Sequence, residues 1–340
     1  MRPVTQAFAR MENQPDITQA NVDTLITVYG GSGFLGRHVI RALCKRGYRI
    51  RVAVRRPELT GHLQPLGRVG QIHAVQANLR YPRSVEAAAR GSDVLINLVG
   101  ILFERGRQRF DAVQAFGAES VALAASAYGA RMVHMSAIGA DENAISSYAR
   151  SKGIGEKLVL AARPAATVLR PSVVFGPEDD FLNRFASLAR FAPALPLVGG
   201  GHTRFQPVYV GDVAAAVVAA VEGRTKAGSA YELGGPEVRT FKELMQYVLA
   251  VTERKRLLVS LPFAVAELQA WFLQFLPKPP LTPDQVELLK TDNVVSDAAR
   301  REGRTLEALG IAATAMEAIA PTYLWRFRKS GQFKVKNGVT

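Results

Sequence analysis

The stretch TLITVYGGSGFLGRHVIRAL, Thr24–Leu43, decides how the rest of the 340-residue chain is read. An apolar run from Thr24 to Tyr29 has the look of a strand. Glycines at 30, 31, 33 and 36 interrupt it, and a helix-like pattern begins at Phe34. Gly30-x-x-Gly33-x-x-Gly36 between a strand and a helix is the context in which a glycine-rich turn cradles a dinucleotide. Gly30 suits the tight turn, Gly33 admits a pyrophosphate against the backbone, and Gly36 lets the helix sit close on the sheet. The pyrophosphate charge would rest on the helix N-terminus. Gly30, Gly31, Ser32, Gly33, Phe34, Leu35 and Gly36 are therefore candidate cofactor contacts.

Outward from this loop, strand-like and helix-like segments alternate. TLITVY (24–29), RIRVAV (49–54), IHAVQA (72–77), DVLINLV (93–99), RMVHMS (131–136) and ATVLRP (166–171) are short apolar runs. Helical patterns over Phe34–Arg46, Pro82–Arg90, Phe110–Tyr128 and Tyr148–Ala162 separate them. Repeated strand–helix units predict an α/β fold with a doubly wound parallel sheet, buried on both faces. Past residue 171 the pattern turns irregular and proline-rich, which predicts a smaller C-terminal lobe. The expected division is a flexible tail over 1–22, a nucleotide-binding domain over 23–235 with 171–205 contributing to the small lobe, an α-rich lobe over 236–325, and a basic tail over 326–340. No period of 20–50 residues recurs, so a repeat fold is excluded.

The end of the second strand selects the dinucleotide. An acid there would bond the ribose hydroxyls of NAD, but the chain reads VAVRRPE, with Arg55 and Arg56 at that place. Guanidinium groups bond a 2′-phosphate bidentately, which favours NADPH over NADH; a solvated arginine pair is the alternative. Arg37 stands near enough in sequence to add to the same field.

A candidate reaction centre follows. Ser136 ends the fifth strand in HMSAIGA, and SYARSKGIGEK supplies Tyr148 and Lys152 at i and i+4, on one helix face. The lysine's charge is expected to favour tyrosinate and lower a phenol pKa that starts near ~10. Tyr148 would exchange a proton with a substrate oxygen that Ser136 steadies, while hydride moves to or from the nicotinamide.

With these motifs the chain resembles the short-chain dehydrogenase/reductase superfamily in its extended or atypical branch, over about residues 24–250. That resemblance implies a Rossmann-like fold and further cofactor contacts. Asn78 and Leu79 would flank the adenine, Leu98, Val99 and Gly100 would line the cleft, and Pro171 would approach the nicotinamide. Asn78 stands where the superfamily has an aspartate, and its amide oxygen would accept from the adenine amine. Lys152 would also bond the nicotinamide ribose, and Tyr148 with it.

A closer resemblance is carried by SSYARSKGIGEKLV, GPEDDFLNRFASLARF, LPLVGGGHTRFQPVYVGDVAAAV and PLTPDQVELLKTDNVVS. These blocks are similar to the family of NADPH-binding accessory subunits of respiratory complex I. The resemblance implies a nucleotide bound for stability rather than turnover, complex I subunits as partners, and a peripheral place on the cytoplasmic side of a bacterial inner membrane or on the mitochondrial matrix side. A free NADPH-dependent reductase or epimerase using Tyr148, Lys152 and Ser136 is the other reading, and a nucleotide-sensing regulatory binder a third.

Composition adds limits. The 43 Lys/Arg against 29 Asp/Glu leave a formal net charge of +14. Seven of the cations fall between Arg41 and Arg56 and five in YLWRFRKSGQFKVKNGVT, with no acid in either stretch. Such fields attract anionic lipid or an acidic protein surface, or are simply solvated. No nucleic-acid motif accompanies them. The single Cys44 excludes an internal disulfide and reads as a packing thiol. MRPVTQAFARMENQPDITQA lacks the apolar core of a secretory signal. LPFAVAELQAWFLQFLPKPP (261–280) has an apolar stripe of Ala264, Leu268, Trp271 and Phe275, widened by Val265, Phe272 and Leu276. It suits a bilayer interface, a partner subunit, or a helix packed on the small lobe. With Trp325, Phe327 and Phe333, the basic tail suits an anionic surface or is a loose end. Glu178, Asp179 and Asp180 have no histidine at ligand spacing and read as a helix start, His134 as a packed core histidine, and His202 as a loop residue. No metal is assigned.

Overall fold

β-Branched residues are stiff at χ1 and fit a pleated surface, and the apolar runs become strands accordingly. They are β1 (Leu25–Tyr29), β2 (Arg49–Val54), β3 (Ile72–Gln76), β4 (Val94–Asn97), β5 (Arg131–Met135) and β6 (Thr167–Pro171). A computed structural model describes residues 19–276 and 279–330. The segment before Gln19, Pro277, Lys278 and the tail from Gly331, with Phe333, lie outside the described residues.

A seventh strand, Ala230–Leu233, completes a sheet in which every neighbouring pair is parallel. From one edge the order is Ala230–Leu233, β6, β5, β4, β1, β2, β3. The chain therefore winds outward from β1 to β3, then crosses back to lay β4 on the other side of β1. Where the winding reverses, the carboxyl ends of β1 and β4 part and leave a crevice.

Alternation along the strands sorts side chains to the two faces. Ile26, Val28, Val94, Ile96, Val133 and Met135 pack in one core with Val39, Ile40 and Leu43 of the Phe34–Lys45 helix and the apolar face of Val210–Val221. Tyr29, Leu95 and Met132 pack in the other, with the helices Pro82–Ala89, Phe116–Ala127 and Ser147–Ala162. A third core joins Phe175, Leu182, Leu195 and Phe205 to Phe241, Leu244, Met245 and Tyr323, so the C-terminal lobe is woven from both sides of the seventh strand. Leu306 and Leu309 return to the first core.

Two elements differ from expectation. The expected helix Phe110–Tyr128 opens with a π-helical turn, Asp111–Ala115, before the α-helix Phe116–Ala127. Here the Ser147–Ala162 helix comes so close that a Cβ on Gly155 would lie 2.3 Å from the Gln114 carbonyl oxygen. The second is the helix Phe263–Leu273. Its buried residues are Ala266 and Ala270, which sit with Val198 and Val286. The large residues of the expected stripe turn outward instead, Trp271 being 53% and Phe275 73% exposed, with Trp271 packed edge-on to Phe272 and Phe275. Small side chains let the helix axis come close, and the described residues leave the aromatic face uncovered. Among the described residues, no helix is long and apolar enough to cross a membrane.

The seat of the Phe34–Lys45 helix rests on backbone contact. A Cβ on Gly36 would lie 2.4 Å from the Gly31 carbonyl oxygen. Gly36→Ala should destabilise the protein by about 1–3 kcal/mol, the usual cost of overpacking. Gly61→Ala, where a Cβ would meet nothing within 4 Å, should instead be neutral or stabilise by up to about 1 kcal/mol. Urea unfolding midpoints of the two variants check both signs.

Candidate nucleotide crevice and reaction centre

β1 delivers the chain to Gly30, whose φ of +80° only glycine adopts without strain. Its N–H donates to the Ala53 carbonyl at 3.2 Å and its carbonyl accepts from Gly33 N at 3.1 Å, closing the turn. Gly33 presents a different case. Its φ is −75°, and the only atom within 4 Å of a Cβ placed there is the Gly30 carbonyl oxygen at 3.4 Å. Among the described residues nothing crowds a side chain at 33, so the space over this glycine is open to a ligand. The helix that follows has Gly33 at its N-cap, no side-chain cap and no acid in its first turn. Its leading N–H groups and positive dipole end are left for an anion. Gly31 is buried, while Ser32, Phe34 and Leu35 are half-buried around the turn.

Arg55 and Arg56 follow β2 at the same end of the sheet, both exposed and neither in an ion pair among the described residues. Arg37 does not join them: its guanidinium pairs with Glu178 at 2.7 Å. Leu98, Val99 and Gly100 peel away from β4 because the Asn97 side chain accepts from Val99 N at 3.1 Å. They form the opposite lip, where Val99 Cγ2 would lie 3.0 Å from a Cβ on Gly30. Asn78 is less available than expected, since its amide oxygen accepts from Arg80 N at 3.2 Å, and Leu79 is buried in the second core.

At the reaction centre, Ser136 leaves β5 with its N–H bonded to Leu169 O at 2.8 Å, while its buried hydroxyl has no partner among the described residues. Tyr148 lies in the first turn of its helix, its ring edge-on to Phe110 at 5.9 Å. Ser146 caps that helix by accepting from Ala149 N at 3.2 Å. Asp284, reaching over from the C-terminal lobe, accepts from Ser147 N at 2.6 Å, Tyr148 N at 3.2 Å and Ser146 Oγ at 3.0 Å. Lys152 is buried, and its Nζ donates to Met135 O at 3.0 Å. A Cβ on Gly100 would lie 3.5 Å from that Nζ, so the amine borders the crevice.

The expected acidification of Tyr148 is corrected here. Burial pushes its phenol up to about 12, the Asp284 carboxylate adds to the rise, and Lys152 is not among the causes. The amine spends itself on a main-chain carbonyl, so the phenol at neutral pH is a proton donor. Burial lowers Lys152 to about 8 against a restoring pull from Glu156. His134 is the packed core residue expected of it: burial, then Lys152, brings it down to about 3, and Asn97 Nδ2 donates to its Nδ1 at 3.3 Å.

Local pattern did not reveal the braces around the centre. Asn293 accepts from Ser172 Oγ at 2.7 Å and Val173 N at 3.2 Å, and donates to Ile138 O at 3.3 Å. Arg170 donates to both Glu156 oxygens, at 2.9 and 3.1 Å, tying β6 to the Tyr148 helix. TPDQ, whose Thr282 and Gln285 form a capping box, was the one sequence signal that a helix start stood at Asp284. Pro171 and Ser136 both line a cavity of about 450 Å³ between the crevice and the lobe. Asp179 accepts from Asn183 N at 3.1 Å as a helix-start residue, and among the described residues no group of three or more His, Cys, Asp or Glu could hold a metal. Cys44 is a buried thiol pushed up to about 12.

Residues 26–234 match the NAD dependent epimerase/dehydratase family. The chain is 35% identical to NADH dehydrogenase [ubiquinone] 1 alpha subcomplex subunit 9, mitochondrial, of Arabidopsis thaliana, over 90% of this chain and 78% of that one. It is also 35% identical to the ceramide reductase of Caulobacter vibrioides, over 82% of this chain and 88% of that one. Among solved structures it superposes on an NADPH-dependent quinone oxidoreductase of Escherichia coli complexed with NADPH, with a TM-score of 0.69 and 20% identity, covering 88% of this chain and 99% of that one. At that identity the likeness speaks for the fold alone.

The Lys152 shift has a pH signature. An unfolded lysine holds its proton to about 10.5, the folded one only to about 8. Between these values the unfolded state binds more protons, so this residue's contribution to stability rises with pH there and is flat below. The stability difference between the parent and Lys152→Met should therefore grow from pH 8 to 10.5, as read from urea midpoints across that range.

Proposed function

The chain belongs to the NAD dependent epimerase/dehydratase family, and we propose that within it this protein is an NADPH-binding accessory subunit of respiratory complex I. The nucleotide is held as part of the fold rather than consumed. What carries the subunit reading is the 35% identity to the alpha subcomplex subunit 9 over 90% of the chain, a span that includes the C-terminal lobe and not only the nucleotide domain. The NADPH reading is supported by Arg55 and Arg56, exposed beside the crevice and free of ion pairs among the described residues. A ligand bound only to the folded state stabilises it by RT ln(1 + [L]/Kd), about 4 kcal/mol at a thousandfold excess over Kd.

The cytoplasmic side of a bacterial inner membrane is the proposed location, with the matrix side as its mitochondrial equivalent. The uncovered Trp271, Phe272 and Phe275 face is the proposed contact, against complex I subunits or the anionic lipid around them. The basic C-terminal tail would reinforce it.

A second reading, a free NADPH-dependent reductase, is favoured by the equal 35% identity to the ceramide reductase and by Ser136, whose hydroxyl has no partner among the described residues and which lines one cavity with Tyr148. In that reading Ser136 steadies a carbonyl oxygen and the neutral Tyr148 phenol gives it a proton as the nicotinamide gives hydride.

Purification from solubilised membranes, with analysis of the nucleotide released on denaturation, tests the proposal. Complex I subunits and a reduced or oxidised NADP are expected; a chain that elutes alone and empty would overturn it. Replacing Arg55 and Arg56 together by Gln should weaken NADPH binding by at least about 10- to 100-fold, the worth of one charge-assisted hydrogen bond, and leave NADH binding little changed, as read by calorimetry. Tyr148→Phe should leave NADH:ubiquinone activity of the assembly intact, whereas the reductase reading requires that variant to lose turnover of its carbonyl substrate.

A further inference from the structure

Ser136 is 4% exposed, its buried hydroxyl has no hydrogen-bond partner among the described residues, and the residue lines the cavity of about 450 Å³. That volume lies within the range of small-molecule sites. Leaving a buried hydroxyl unpaired is costly unless something else bonds it. The rest of the lining says what that something is attached to.

Phe181, Phe185, Phe205 and Phe241 form one wall, a cluster of rings edge-on or tilted to one another with centroids 5.3–6.3 Å apart. Leucines of the C-terminal lobe, 281 and 289, continue the wall, and Phe34 and Leu102 close it from the nucleotide side. Apart from the exposed Asp180 carboxylate and the charge of Arg184, the polar lining residues are mostly engaged already. Ser172 is bonded to Asn293 at 2.7 Å, Arg184 to Pro280 O at 3.2 Å, and Gln285 to Thr282 N at 3.3 Å. A sugar or a nucleoside diphosphate would carry several hydroxyls and charges into a chamber of phenyl and isobutyl groups with few donors to receive them. A hydrocarbon chain would lose nothing there.

We propose that this cavity binds a long-chain aliphatic carbonyl compound, its chain against the phenylalanine wall and its carbonyl oxygen accepting from the Ser136 hydroxyl. Tyr148, which lines the same cavity, offers a second hydroxyl donor. The site goes beyond the nucleotide reading and needs the crevice only as its neighbour, so the two stand or fall separately.

The full-length protein is titrated by calorimetry with 2-octanone, 2-decanone and 2-dodecanone, with and without NADPH, and nucleotide binding is measured in parallel. Each added methylene should tighten binding about 4-fold, which corresponds to about 0.8 kcal/mol per buried CH₂. Ser136→Ala should weaken all three ketones by a common factor of about 2- to 12-fold, the worth of one hydrogen bond, and preserve the chain-length slope. Leu288→Trp, at the partly exposed rim of the cavity, should flatten that slope; its unfolding midpoint is measured alongside. UDP-glucose should not compete. Absence of any chain-length dependence in the parent protein, or tighter binding of UDP-glucose than of 2-dodecanone, would overturn the proposal. A slope that persists while NADPH fails to bind would sink the nucleotide reading and leave this one standing.

Discussion

Backbone-to-backbone contact between Gly36 and Gly31 sets the position of everything that follows. It holds the first turn of the Phe34–Lys45 helix against the turn after β1, with a clearance too small for a methyl group. That closeness aims a row of uncapped N–H groups across the mouth of the crevice. Were the helix to back away by the width of a side chain, those amides would no longer converge with the Leu98–Gly100 lip. The interleaved apolar faces of β1, β2 and the helix then preserve the geometry, because a packed interior has only discrete arrangements open to it.

Charge around the crevice is distributed with one sign toward the opening and both signs behind it. Arg55 and Arg56 stand at the opening with no ion pair among the described residues, while Glu156, Arg170 and Glu232 satisfy one another deeper in the sheet. Lys152 is the link between the two regions: Glu156 pulls its proton affinity up and burial pulls it down more. His134 beside it, buried and next to the Lys152 amine, remains neutral.

Much of this was legible in the chain. The strands emerged within a residue or two of their apolar runs, and the loop declared itself because Gly30 and Gly36 each meet a steric demand that other residues fail. The Tyr148 helix was visible from spacing. Its chemistry was not, because the sign of a pKa shift depends on burial and on Asp284, 136 residues away in the chain. Asn293 was invisible for a related reason: it acts through contacts that no local periodicity encodes. The orientation of the helix after Pro262 was left open by the sequence, since an apolar stripe tells that a face is hydrophobic but not whether alanines or aromatics will be the ones to pack. The family blocks in the C-terminal half marked the lobe without revealing that its third core borrows residues from both sides of the seventh strand.

Asp284 has a consequence for how the two halves behave as a mechanism. Its carboxylate holds three donors at the leading turn of the helix that carries Tyr148, and it sits a short way down the chain from the aromatic helix Phe263–Leu273. Loosening the lobe strips all three bonds at once, so the tyrosine's anchorage is a tether whose far end is on the outer surface. The tether acts on the turn and not on the ring, whose own neighbour is Phe110.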